Sequence, residues 1–145
     1  MTQEFYALGN TRNVGEIRNF LDHFLPHREP TRVDYPVPEN SDLPKYLFKT
    51  ESEILNYLET HSGEPYGLYW NDAGGSRAQA MLFYTTDGKV IFGLANDEPE
   101  PGKTLKELAD FVGATYSMFG SEQRPPETTR EFIAACSPSC AGIPI

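Results

Sequence analysis

Cysteine, histidine and positive charge are scarce in this chain, and each shortage excludes something. The two cysteines, Cys136 and Cys140, stand in Cys-Ser-Pro-Ser-Cys near the end. Two thiols do not make the disulfide framework of a small secreted domain. Three residues separate them rather than two, and they follow a helical pattern instead of opening it, where a helix N-terminus would lower a thiol pKa. A reduced pair is the first expectation, an adventitious disulfide the second and a metal site a distant third.

Lys and Arg number 12 against 21 Asp and Glu, a formal charge of −9. Too few cations are present to displace counterions from nucleic-acid phosphates or to bind an anionic membrane surface. A basic protein partner is compatible with this charge, because a surface of one sign steers its opposite. No apolar run approaches the about 20 residues that span a bilayer. Met1-Thr-Gln-Glu-Phe-Tyr6 has neither a basic start nor an apolar stretch, so no secretory signal and a cytoplasmic location are expected.

The three histidines give no metal pattern. His23 and His27 are four apart, as ligands on one helix would be, but Pro26 between them ends the helix before His27, and no Cys or carboxylate completes a zinc spacing. His61 follows an acidic helix, where a partial positive charge is favourable. Asp72-Ala-Gly-Gly-Ser76 has the glycines of a phosphate cradle but joins two strand patterns, whereas a cradle needs a helix immediately after it. No serine elbow or dinucleotide fingerprint occurs. No cofactor, no metal and no catalytic residues are expected.

What is present is a hairpin. Arg77–Thr86 and Lys89–Ala95 are apolar, aromatic and β-branched runs around Asp87-Gly88, the signal for a two-residue type I′ turn. Consecutive Met81-Leu-Phe83 and Val90-Ile-Phe92 predict strands covered on both faces. The aromatic strand Tyr66–Trp70 precedes them, completing an antiparallel meander over about 66–95. Upstream, a short strand at Phe5–Leu8 precedes Val14, Ile17, Phe20, Leu21, Phe24 and Leu25, one face of a helix, with Asn13 as N-cap and Glu16 completing a capping box. Prolines 26 to 44 mark a connection with one brief strand near Val33–Val37, confined to an edge. Tyr46–Lys49 reads as a strand, and Thr50-Glu-Ser-Glu53 caps a helix to about His61, with Gly63 as its C-cap glycine. A second capping box, Thr104–Glu107, opens a helix ended by Gly113. Thr115–Phe119 is a strand, and about Glu127–Ala135 a last helix packed through Phe132 and Ile133. The expected fold is a single α+β domain: a mostly antiparallel sheet with helices on one side. The N-terminal helix and Pro-rich connection occupy about 1–45, the body about 46–135, and a loose tail 137–145.

Exposed acids between prolines, Asp97, Glu98 and Glu100, are solvated rather than catalytic, since acid–base work needs carboxylates in differing, partly buried environments. With Asp72 they form a candidate contact surface for a basic partner. Tyr66, Tyr69 and Tyr84 are expected to pack the sheet. Trp70, beside the loop, is the candidate aromatic anchor, since aromatics dominate interface hot spots.

The capped helix Thr50–Leu58, the meander through Ala80-Met-Leu-Phe-Tyr-Thr-Thr-Asp-Gly-Lys-Val-Ile-Phe-Gly-Leu94 and the later Gln123-Arg-Pro-Pro126 resemble, in layout, the small acidic immunity proteins that bacteria encode beside polymorphic or contact-dependent toxins. The resemblance runs from about Phe48 to Pro126. It implies an inhibitor that binds a cognate toxin enzyme and blocks its active site, doing no chemistry itself; the chain's acidity makes a basic toxin domain the expected partner. Two alternatives come from other classes: a small-molecule-binding or regulatory α+β domain, and an enzyme assembled from dispersed residues such as His61, Asp72 and Tyr84.

Overall fold

The computed structural model of the chain describes residues 2–120 and 123–136. A six-stranded antiparallel sheet carries the fold. The meander β5 (Tyr66–Asp72), β6 (Gln79–Tyr84) and β7 (Val90–Asn96) forms its middle. The N-terminal strand β1 (Gln3–Leu8) pairs with β7, so the start of the chain is built into the sheet beside the meander. Outside these lie two three-residue edge strands, β2 (Arg28–Pro30) and β8 (Ser117–Phe119), giving the order β2-β5-β6-β7-β1-β8. β2 pairs with Trp70, Asn71 and Asp72; it is unexpected from a charged, proline-ended triplet. The strands β3 (Tyr35–Val37) and β4 (Tyr46–Phe48) make a separate two-stranded sheet. The expected edge strand therefore edges its own small hairpin.

Both faces of the main sheet are covered, as the unbroken apolar runs predict. Ala80, Leu82 and Tyr84 of β6 face one core with Ile17, Phe20 and Leu21 of α1 (Val14–Phe24), Ile54, Leu55 and Leu58 of α2 (Glu51–Thr60), and Leu105 and Leu108 of α3 (Pro101–Val112). Met81 and Phe83, on the alternate side, pack with Tyr6, Leu8 and Ile91 against Phe132 and Cys136 of α4 (Thr129–Cys136). The α+β class and the meander are those expected. The placement of helices on one side describes α1–α3, while α4 takes the opposite face. That face also carries the residues leading to α4. Arg124 Nε donates to the Tyr69 hydroxyl (2.9 Å), and Thr86 N–H to Glu127 O (2.8 Å).

Helix ends follow local chemistry, with corrections. The Thr50–Glu53 capping box forms in full, and Gly113 ends α3 in the left-handed region at φ 68°. Asn13 caps α1 by accepting from Gly15 N–H. Glu16 does not complete a box, however; it accepts from Thr11 Oγ1, and Glu59 of α2 accepts from Val14 N–H instead. α3 begins at Pro101, not Thr104, because proline at N1 is already in helical φ; Thr104 is buried inside the helix. α2 ends at His61 rather than on Gly63. The hairpin turn is not type I′. Asn40 is the sole described non-glycine at positive φ, and Gly88 alone in the turn adopts it, at 97°. Thr85 N–H donates to Lys89 O, and Lys89 N–H to Thr85 Oγ1, a longer loop with a glycine bulge. The Asp87 carboxylate instead accepts from Thr129 N–H and Oγ1, capping α4 from outside.

A buried cation joins three of these elements. Arg12 is 4% exposed. Its Nη1 donates to the carbonyls of Leu58, His61 and Glu64, and its Nη2 to those of Thr85 and Lys89. The end of α2 and the hairpin loop are thereby tied to the entry of α1, with the guanidinium over the Tyr84 ring at 5.1 Å. Among the described residues no helix is long and apolar enough to cross a membrane. The tail from Ser137, including Cys140, lies outside the described residues.

Candidate partner-binding surface

The register of the meander decides where the predicted acids stand. β5 and β7 both run antiparallel to β6, hence parallel to each other, and their C-terminal ends share one end of the sheet. Gln79 pairs with Asn71 on one side and Ala95 on the other. Asn71 and Ala95 are thus two strand spacings apart, about 10 Å. Asp72 follows the first and Asp97, Glu98 and Glu100 follow the second. Residues far apart in sequence so border one acidic sheet end, with Gln3 opposite Asn96 beside them.

Each acid is held differently. Asp72, half-buried at the end of β5, accepts from Gly74 N–H (3.2 Å), Ser76 N–H (3.2 Å) and Ser76 Oγ (2.6 Å). The Ser76 hydroxyl, then the Gly74 amide, lower its pKa and keep it ionised. Its charge is therefore fixed, but its oxygens are committed to the loop. Asp97 is exposed and accepts from Thr2 Oγ1 at 2.8 Å. Glu98 is exposed, its backbone N–H held by Asn96 Oδ1 at 3.1 Å. Glu100 occupies the N-cap position of α3, and its side chain makes no capping bond. Negative charge at this helix start is favourable to the helix dipole.

Trp70 is not part of this surface. It is 1% exposed, inside the core under α1–α3, with Nε1 donating to Glu51 Oε1 at 2.6 Å. Strand alternation places its indole on the helix-covered face, so nearness to the loop in sequence does not bring it to solvent. The exposed aromatic at this end is Phe119, 43% exposed, its ring 5.8 Å from that of Phe5. The sequence predicts Phe119 at the end of a strand over Thr115–Phe119; the strand is shorter, Ser117–Phe119, and lies at the sheet's edge.

The dispersed residues His61, Asp72 and Tyr84 are not brought together. Tyr84 pairs with Tyr66 at the start of β5 and Asp72 ends that strand, about 20 Å away at strand rise. The Tyr84 hydroxyl is buried, which pushes its pKa up despite the nearby Arg12. His61 stacks on Tyr57 at 3.8 Å, with Nδ1 2.7 Å from Tyr57 O. His23 stacks on Phe111 at 4.3 Å, and its Nε2 lies 3.6 Å from Glu107, linking α1 to α3. The backbone carbonyl of His27 accepts from Ala73 N–H. Among the described residues no group of three or more His, Cys, Asp or Glu could hold a metal ion. Comparison with family models, with curated proteins and with solved structures finds no match.

Proposed function

We propose that this chain is a non-enzymatic, cytoplasmic binding protein of the immunity type, which neutralises a basic toxin domain by docking it on the acidic end of the sheet. The observation that carries the reading is the pairing of Gln79 with both Asn71 and Ala95, which sets Asp72 and the Asp97–Glu100 loop side by side on a stiff support. A net charge of −9 adds a long-range field of the same sign. A toxin that acts on nucleic acid carries cations for its phosphates, and an acidic surface competes for those cations. The inhibitor in this reading contributes charge and shape and moves no bond.

The test is capture from the source lysate on tagged protein, at low and high salt. A single basic protein retained at low salt, released at high salt, lost with Asp97→Lys/Glu98→Lys/Glu100→Lys and inhibited by added wild-type chain supports the reading. Equal capture by the reversed variant contradicts it.

A further inference from the structure

Beside the acidic loop, α3 and β8 leave a groove of about 420 Å³. Leu105 and Ala109 of α3, Ala114 of the following turn and Phe119 of β8 give it apolar walls. β8 is the terminal strand of the sheet among the described residues. Its bonds to β1 are made on even-numbered residues: Leu8 N–H donates to Tyr116 O (3.0 Å) and Gly120 N–H to Glu4 O (2.8 Å). By the two-residue alternation of an antiparallel ladder, Phe119 turns its own N–H and C=O away from β1. Gly102, which lines one end of the groove, stands two residues after Glu100, so the Asp97–Glu100 loop leads to that end, its mouth. Lys106 on the groove wall pairs with Asp110 at 2.8 Å, and Asp97, Glu98 and Glu100 outnumber the exposed Lys103 beside Gly102, leaving the balance at this end negative.

We infer that this groove receives an extended segment of the basic partner, added as a further strand on β8, with an apolar side chain against Leu105, Ala109 and Phe119 and a cationic residue at the acidic mouth. The inference rests on the proposed function and specifies its partner. Three observations converge on that occupant. An edge strand offers main-chain groups to an extended chain, and pockets for alternate side chains select what is added. A helix flanks the edge and leaves room for side chains on one side of the added strand. The charge at the mouth is complementary to lysine or arginine, which selects a basic segment over an acidic one.

The probe is a short, capped peptide of alternating valine and threonine with a lysine pair at one terminus, made in both orientations, beside versions ending in glutamates and versions N-methylated on alternate residues. Two-dimensional NMR of the intact protein is the readout. The inference predicts that one lysine-ended peptide shifts the amides of Gly102, Ala109 and Phe119 and slows hydrogen exchange at Phe119. The glutamate-ended and N-methylated forms bind at least ~10-fold more weakly, as lost charge pairing and main-chain bonds require. Ala109→Phe, which fills the groove, removes the shifts; Phe119→Ala, a truncation at an exposed site, weakens binding and keeps the falsification open should Ala109→Phe unfold. Shifts confined to residues 97–100 and indifferent to N-methylation and to Ala109→Phe would overturn the groove while leaving the acidic docking surface standing. Shifts at Phe119 with no preference for lysine over glutamate would overturn the choice of a basic segment. No shift with any peptide would overturn the inference, and capture of a basic protein would then judge the proposed function separately.

Discussion

Arg124 closes on Glu39 as a fork, Nη1 to Oε1 at 3.1 Å and Nη2 to Oε2 at 2.8 Å. The pair fastens the segment leading to α4 to the hairpin of β3 and β4. Glu39 Oε1 also accepts from Gly67 N–H at 2.9 Å, and the guanidinium lies against Gly67 so closely that a Cβ there would stand 2.6 Å from Arg124 Nη2. Gly67→Ala should therefore destabilise by displacing Arg124, and Arg124→Ala by leaving a mostly buried carboxylate with only the Gly67 N–H and the more distant Arg32 (3.8 Å), each by about 1–3 kcal/mol. Because both act on one contact, the double variant should cost clearly less than the sum. Urea unfolding of the four proteins measures this; additive losses would show that Gly67 matters for another reason.

Arg12 should be the most sensitive charged position in the fold. Its removal leaves the carbonyls at the end of α2 and in the hairpin loop without their shared donor, and Arg12→Met is expected to cost about 3–5 kcal/mol. Arg12→Lys should recover a minor part, because one ammonium cannot span both sets of carbonyls. Thermal unfolding of both variants checks the order.

Trp70 is the single tryptophan, so its fluorescence reports one place. Buried in the core, it should emit in the blue when folded and shift to the red on unfolding. Binding at the acidic sheet end should leave its emission maximum unchanged, since its ring lies under the helices. A shift on partner binding, at constant stability, would place the partner elsewhere.

Stability should fall at both extremes of pH. Burial alone would raise the Asp87 pKa, but hydrogen bonds from Thr85 and Thr129 outweigh it and leave the group lowered. A carboxyl with a folded pKa below its unfolded value of about 4 contributes stability that is present above that value and lost as pH falls through the folded one. At the other extreme, burial pushes the Tyr66 phenol up to about 12, with Arg32 opposing. That contribution is complete below the unfolded pKa of about 10 and is lost as pH rises toward the folded one. Asp87→Asn should flatten the acid limb and lower the plateau by about 1 kcal/mol through the weakened cap on α4. Tyr66→Phe should flatten the alkaline limb, although it also removes the bond to Pro36 O. Unfolding free energy against pH for the three proteins measures both.

What could be read from the sequence was the local part. The meander, the Thr50 box and the Gly113 cap depend on residues a few positions apart, and they stand where propensity and turn chemistry put them. Arg12 could not be read, because its acceptors lie 46 to 77 positions away and a lone arginine in a polar stretch looks like a surface residue. Trp70 misled for the opposite reason: the strand's alternation, not its distance from a loop, decides which way the ring faces. β2 was hidden because Arg28-Glu-Pro30 has no strand propensity; the neighbouring edge of β5 recruits it. Of the candidate surface, the acids were legible as charge, but their convergence depends on a register that only the paired strands express.

The most direct measurement is the affinity of the captured basic partner for wild type, Glu98→Lys and Asp42→Lys across a range of salt. Both substitutions change net charge equally; Glu98 lies on the acidic sheet end, whereas Asp42 is exposed on the β3–β4 hairpin. Docking on the sheet end predicts that Glu98→Lys weakens binding by about 10-fold or more and flattens its salt dependence, with Asp42→Lys close to wild type. Equal losses for the two would mean that net charge alone attracts the partner, and would contradict a surface built where Gln79 joins the two loops.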